Sequence, residues 1–325
     1  MAQQIQFSRT GGSEVLELVE VTPADPAPGE VRIKNQAIGL NFIDIYFRTG
    51  LYPAPSMPSR LGTEGAGVVD AVGAGVTHLK EGDRVAYAQG PLGAYAEYHV
   101  LPADKVVTLP KDIDFETAAA SMLKGLTVQY LLRQTQRLQG GETILWHAAA
   151  GGVGSIACQW ARALGVKLIG TVSSEEKAQL AKNNGAWETI DYTRENVVER
   201  VRELTNGEMC DVVYDSVGKD TWITSLDCLK PRSLMVSFGN ASGAVEGVNL
   251  GILNQKGSLF VTRPSLNGYA DTRERLEAMC AELFSMLGSG KVKVDIGQRF
   301  ALADAGKAQD ALANRETTGS TILLP

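Results

Sequence analysis

Histidine and cysteine are scarce in this chain, with three and four copies among 325 residues. The cysteines, Cys158, Cys210, Cys228 and Cys280, stand far apart and form no C-x-x-C pair. That spacing signals neither a dithiol redox motif nor a cysteine-rich zinc site, and it leaves buried free thiols as the expectation. Basic residues form no run and the net charge is -6. This disfavours nucleic acid as a partner and argues against a polybasic membrane anchor. No uninterrupted apolar stretch is long enough to span a bilayer. The stretch Met1 to Phe7 lacks the charged start and apolar core of a signal peptide, so a cytoplasmic location is expected.

What is present is ample apolar material, 44% of the residues, in a length that suggests two domains. The first third reads as β-rich. Alternation or short apolar runs predict strands at Ile5–Phe7, Val15–Val21, Val31–Ile38, Gly65–Gly73, Gly82–Tyr87, Ala94–Val100 and Val106–Leu109. Asn41–Arg48 reads as a short helix, and Tyr52–Pro58 as a proline-rich loop. Many short strands with Gly and Pro turns suggest a small barrel-like domain. Past residue 113 the pattern turns helical, as Phe115–Ala120 and Met122–Leu132, the second interrupted by Gly125. From Glu142 strands and helices alternate through six strands, ending at Leu259–Thr262. Repeated βα units of this length predict a doubly wound parallel sheet. A long helix over Thr272–Leu287 follows, then a strand, a helix and a strand that rejoin the first domain.

Within this pattern lies a strand, a glycine turn and a helix: Ile144–Trp146, then Gly151, Gly152, Val153 and Gly154, then apolar residues at helical spacing to Leu164. Such a turn sets a dinucleotide pyrophosphate on a helix N-terminus. The match to G-x-G-x-x-G is incomplete, since Ala149 holds the first glycine position. About twenty residues on, where an acidic residue would bind ribose hydroxyls, stands Ser173. A serine leaves room for a phosphate, Lys177 can supply charge one turn later, and Tyr192 can cover the adenine or bond the phosphate. These residues favour NADPH over NADH. The competing account makes Ser173 a helix cap and Lys177 a solvated charge, and Glu175 and Glu176 add opposing charge nearby.

Taken together, the segments Gly39–Asp44, Gly62–Val69, His147–Gly154, Tyr214–Gly218, Val236–Asn240 and Asn254–Ser258 resemble the medium-chain dehydrogenase/reductase superfamily. Within it they are most similar to the zinc-free quinone oxidoreductases of the zeta-crystallin type, in the manner of bacterial NADPH:quinone reductases. Nearly the whole chain fits, and Ala149 is usual in that family. The resemblance implies an α/β fold in which a Rossmann domain, residues 125–264, is inserted in a β-rich GroES-like catalytic domain made of residues 1–124 and 265–325. It also implies that Thr127, Tyr130, Ser216, Phe238, Gly239, Asn240, Thr262, Arg263 and Arg315 surround the cofactor.

Zinc alcohol dehydrogenases of the superfamily ligate their catalytic metal with Cys and His where this chain has Asn41 and Thr63. Amide and hydroxyl are poor zinc ligands beside thiolate and imidazole. His78, His99 and His147 read as surface or packing residues. Without a Lewis acid, the expected acceptor is one that delocalises its own developing charge: a quinone, or a conjugated enone reduced at its double bond. A non-catalytic NADPH-binding protein is the third possibility. Asn41 can donate to a carbonyl or to the cofactor, and Tyr46 and Tyr52 are candidate pocket walls or hydrogen-bonding groups. Gly257–Arg263 reads as an edge strand, which suggests a homodimer.

Overall fold

The computed structural model describes residues 1–325. In chain order the first segment holds β1 (Ala2–Phe7), β2 (Glu17–Val21), β3 (Glu30–Leu40), α1 (Phe42–Thr49), β4 (Ser59–Arg60), β5 (Gly65–Val72), β6 (Arg84–Tyr87), β7 (Tyr98–Pro102), β8 (Val106–Thr108) and α2 (Phe115–Tyr130). The middle segment holds β9 (Thr143–Trp146), α3 (Gly152–Leu164), β10 (Lys167–Val172), α4 (Glu175–Asn183), β11 (Glu188–Asp191), α5 (Val197–Leu204), β12 (Cys210–Asp215), α6 (Trp222–Asp227), β13 (Leu229–Ser237), α7 (Gly251–Gln255), β14 (Phe260–Thr262) and α8 (Leu266–Tyr269). The last holds α9 (Arg273–Gly288), β15 (Ile296–Ala301), α10 (Ala305–Ala313) and β16 (Ser320–Leu324). No helix is long and apolar enough to cross a membrane.

The chain divides into two units, one of residues 1–126, 269–289 and 294–325, the other of residues 127–268 and 290–293. In the first, β3 is the organising strand. It pairs with β5 on one side; on the other, its first half pairs with β7 and its last residues with β16. A three-stranded sheet, β2-β1-β4, accompanies this seven-stranded one. Ile33, Ile38, Leu40, Val85 and Tyr95 form part of a hydrophobic core here. Truncating one such large residue to alanine costs about 2–5 kcal/mol.

The second unit carries a six-stranded parallel sheet in the order β11-β10-β9-β12-β13-β14. The order runs outward in both directions from β9 and β12, the doubly wound Rossmann arrangement. β9 is buried on both faces from Ile144 to Trp146, as a central parallel strand must be. All four cysteines are free and buried.

Three expectations need correction. Phe115–Ala120 and Met122–Leu132 are one helix, α2, running to Tyr130 before a π turn. Gly125 does not interrupt it; a Cβ there would lie 2.5 Å from Leu283 Cδ1, so glycine admits a neighbouring side chain. The strand expected over Ala94–Val100 starts only at Tyr98, because the Asn35 side chain takes the carbonyls of Ala94 and Ala96 that a ladder would use. Val15 lies in a 3₁₀ turn and β2 begins at Glu17.

Candidate functional site

The crevice of an open parallel sheet lies beyond the carboxyl ends of the strands where the order reverses, here β9 and β12. β9 leads into Ala148, whose φ of 56° is left-handed, a conformation costing an alanine on the order of 1 kcal/mol. Two bonds hold it: Gly151 N–H donates to Ala148 O at 3.0 Å, and Ala148 N–H to Thr171 Oγ1 at 3.3 Å. Gly151 is the N-cap of α3, whose first turn contains no acidic residue and takes no side-chain cap. Its N–H groups, from Gly152 onward, suit an anion. Gly154 has to be glycine, since a Cβ would lie 2.4 Å from Ala148 O.

β10 ends beside this turn. Ser174 caps α4, its Oγ accepting from Lys177 N–H at 3.3 Å. The competing account, in which Ser173 caps the helix, is therefore corrected by one residue. Glu175 and Glu176 occupy the first turn of α4, where the helix dipole favours acids. Tyr192 follows β11, its N–H donating to Val172 O at 3.1 Å, and the residue is 42% exposed. Ser173, Lys177 and Tyr192 thus share the carboxyl edge of two adjacent strands.

On the other side of the reversal, the turns after β12 and β13 interlock. Phe238 N–H donates to Asp215 O at 2.8 Å and Ala241 N–H to Ser216 O at 3.2 Å. Gly239 lies so close that a Cβ would be 2.3 Å from Ser216 O. The Phe238 ring packs against Trp146, centroids 5.3 Å apart and planes tilted by 51°. Arg263 follows Thr262, the last residue of β14, and donates to Ser237 O at 3.0 Å. Thr127 and Tyr130 lie one turn apart on α2. Arg315 belongs to the first unit, after α10, with a left-handed φ of 62°.

Beneath these turns runs a network that the sequence did not disclose. His147, read from sequence as a surface or packing residue, is buried and fully bonded. Asp215 Oδ1 accepts from the N–H groups of Val217 and Gly218 at 2.8 and 3.0 Å. Its Oδ2 accepts from Thr221 Oγ1 at 2.7 Å and Ser225 Oγ at 2.6 Å. Ser225 has a single proton and spends it on Asp215, so His147 Nε2 is the donor in the 2.9 Å contact to Ser225 Oγ. Nδ1 then accepts from Thr171 Oγ1 at 3.1 Å. The ring is a neutral Nε2–H tautomer, and burial pushes its pKa down. Through it the turn after β9 is tied to the turn after β12.

The remaining sequence-predicted residues lie in the first unit. Asn41 lies between β3 and α1, as the N-cap of α1. Its N–H donates to Asp44 Oδ2 at 2.9 Å and its Nδ2 to Glu64 Oε2 at 2.7 Å. Glu64 also accepts from Leu123 N–H at 2.6 Å and Lys124 Nζ at 3.4 Å. Asp44 accepts from Tyr95 Oη at 3.0 Å. Burial holds the Asp44 carboxyl up at about 7. Tyr46 lies on α1, and the Tyr52 ring meets it edge-on at 5.2 Å while Tyr52 N–H donates to Tyr46 O at 3.0 Å. Glu64, Lys124 and Tyr95 were missed from sequence; the one available signal was a glutamate in the otherwise uncharged run Gly62–Val69.

Comparison with known proteins gives the same picture. The family described as alcohol dehydrogenase GroES-like domain matches residues 27–111, and that described as zinc-binding dehydrogenase matches residues 152–284. A quinone oxidoreductase from Pseudomonas aeruginosa is 68% identical over 325 residues, covering 100% of both chains. The crystal structure of Escherichia coli quinone oxidoreductase complexed with NADPH superposes with a TM-score of 0.99 at 60% identity, covering 100% of both chains. A 2-haloacrylate reductase from Burkholderia sp. is 43% identical, covering 100% of this chain and 99% of its own. The chain belongs to the quinone oxidoreductase family of the medium-chain dehydrogenase/reductase superfamily.

Proposed function

We propose that the chain is an NADPH-dependent quinone reductase. The observation that carries the nucleotide half of this reading is the uncapped first turn of α3 at the sheet's reversal point. Across the reversal, the close approach of Gly239 to Ser216 packs the turns after β12 and β13 backbone against backbone. The residues fit the cofactor: Gly151, Gly152 and Val153 for the pyrophosphate, and Ser173, Lys177 and Tyr192 for the adenosine phosphate. Thr127, Tyr130, Ser216, Phe238, Gly239, Asn240, Thr262 and Arg263 line its course, with Arg315 as a second guanidinium for phosphate. When bound, NADPH supplies a hydride from C4 of its nicotinamide.

The donor set does not fit zinc. Asn41 already donates its amide to Glu64, and Thr63 offers a neutral hydroxyl with no hydrogen-bond partner. Amide and hydroxyl bind zinc poorly, so the chain's own part is positioning, hydrogen bonding and exclusion of water. Asn41 orients a carbonyl of the acceptor or the cofactor, while Tyr46 and Tyr52 wall the acceptor. A quinone suits such a site because its developing charge spreads over the ring. The 2-haloacrylate reductase among the relatives keeps reduction of an activated carbon–carbon double bond as the second reading.

The family's partner question has its own support. β14 is the sheet's edge, with Phe260 63% and Val261 36% exposed. An apolar open edge pairs readily with its own copy, which supports a homodimer. Four free thiols suit a reducing cytoplasm. Steady-state NADPH oxidation with a panel of quinones and a panel of enones tests the activity. Faster turnover of quinones is expected; tight NADPH binding with no turnover of either panel would overturn both enzymatic readings.

A further inference from the structure

We infer that Glu64, with Lys124, is the positioning residue that fixes which way the Asn41 carboxamide faces. The inference rests on the reading of Asn41 as the residue that orients the acceptor or cofactor. Glu64 is fully buried, at the entry to β5, and the pairing of Ile38 with Gly65 sets it beside the exit of β3. Its three donors come from two elements: Asn41 Nδ2 at 2.7 Å, and Leu123 N–H and Lys124 Nζ of α2 at 2.6 and 3.4 Å. Lys124 Nζ also donates to Leu40 O at 3.3 Å. It therefore grips both the peptide that precedes Asn41 and the carboxylate that holds the Asn41 side chain.

Glu64 receives donors on both oxygens, Leu123 N–H on Oε1 and Asn41 Nδ2 with Lys124 Nζ on Oε2, so it acts here only as an acceptor. Facing it, Asn41 must turn Nδ2 inward, with one N–H on Glu64 and the second left for a carbonyl, while Oδ1 lies on the side of the Asp44 N–H in the capping box of α1. The backbone of the same residue is held by a second buried carboxylate, Asp44, through the 2.9 Å bond from Asn41 N–H. The carboxamide is thus locked against the half-turn that would exchange its donor for its acceptor. Glutamine at position 64 has the same shape but can donate, so it permits that exchange. Gly39 supports the arrangement from below, since a Cβ there would lie 2.0 Å from Glu64 Oε2.

The test is a double-mutant cycle read by kcat/KM for quinone, with an NMR measurement on the protein free of ligands. Asn41→Ala and Glu64→Gln should each lower kcat/KM by about tenfold or more. The double variant should match Asn41→Ala within about twofold, because Glu64 acts only through Asn41. In the ligand-free wild type, the side-chain amide protons of Asn41, assigned by their loss in Asn41→Ala, should exchange slowly with solvent; in Glu64→Gln they should exchange faster. If Asn41→Ala equals wild type, the reading of Asn41 fails. If Asn41→Ala is impaired but Glu64→Gln is silent, cuts activity as much again in the Asn41→Ala background, or leaves the amide exchange unchanged, the positioning role alone is overturned. Should Glu64→Gln not fold, Glu64→Gln/Lys124→Met removes both charges together and is judged by the same outcomes with and without Asn41→Ala.

Discussion

The methyl group of Ala149 fills the space that Gly170 leaves open on the neighbouring strand: a Cβ added at Gly170 would lie 2.4 Å from Ala149 Cβ. The departure from the glycine fingerprint at Ala149 is thereby matched by a glycine on β10. Gly170→Ala should overpack this contact and cost about 1–3 kcal/mol. Ala149→Gly in the same chain should recover most of the loss, because the two side chains exchange places. Thermal unfolding of the two single variants and the double variant checks this. A double variant no more stable than Gly170→Ala would show that the contact is not the source of the cost.

Ser173 and Ser174 are adjacent, but only Ser174 caps α4. Ser174→Ala should lower stability by about 1 kcal/mol, the usual loss of an N-cap, and leave the ratio of NADPH to NADH affinity unchanged. Ser173→Ala and Lys177→Ala should do the reverse, weakening NADPH more than NADH with little effect on unfolding. Cofactor titrations by fluorescence, set beside melting temperatures, separate the two. Equal losses of NADPH and NADH affinity in Lys177→Ala would remove it from the phosphate site.

These two sites also show what could be read in advance. The alternation of strands and helices from Glu142 was plain, because each element carries its own period and several turns carry a glycine, as at Gly151, Gly165, Gly185, Gly207 and Gly218. The turn at Gly151–Gly154 and the absence of an acid at Ser173 were likewise local. The polar networks were not. Glu64 meets Asn41 and Lys124 across 23 and 60 residues, and His147 meets Ser225 across 78. Periodicity reports which face of an element is apolar, not which buried polar groups find one another. His147 looked isolated because every partner is supplied by a different element. Gly125 misled in the opposite sense: its local propensity says break, while Leu283 from a distant helix requires the missing side chain.

The open edge at β14 makes a prediction about assembly. Phe260 and Val261 expose apolar side chains, and Leu250 is 74% exposed. If two copies pair edge to edge, the wild-type mass in solution is that of two chains. A charge on an edge strand opposes such pairing, so Phe260→Glu/Val261→Lys should yield single chains with unchanged circular dichroism. Light scattering after size exclusion decides it, and a wild-type monomer would refute the dimer.

Two buried titratable groups should shape stability against pH in opposite directions. Burial holds Asp44 at about 7, above its value of about 3.9 in the unfolded chain, and its Oδ1 has no partner. The folded state then binds this proton more tightly; its stabilising effect is complete below about pH 4 and is lost as pH rises through 7. Asp44→Asn keeps an acceptor for Asn41 N–H and Tyr95 Oη but cannot ionise. Relative to wild type it should gain stability between pH 5 and 8 in urea unfolding, by at most about 4 kcal/mol. His99 behaves oppositely. Burial pushes it down to about 3, below its unfolded value of about 6.5, so its contribution is complete above 6.5 and is lost as pH falls toward 3. Its ring lies 5.4 Å from that of Tyr87, and His99→Phe preserves an aromatic contact while removing the proton site. That variant should flatten the acid side of the profile and leave the neutral side unchanged; an unaltered acid side would assign the acid sensitivity to other groups, of which the buried His147 is the next to replace.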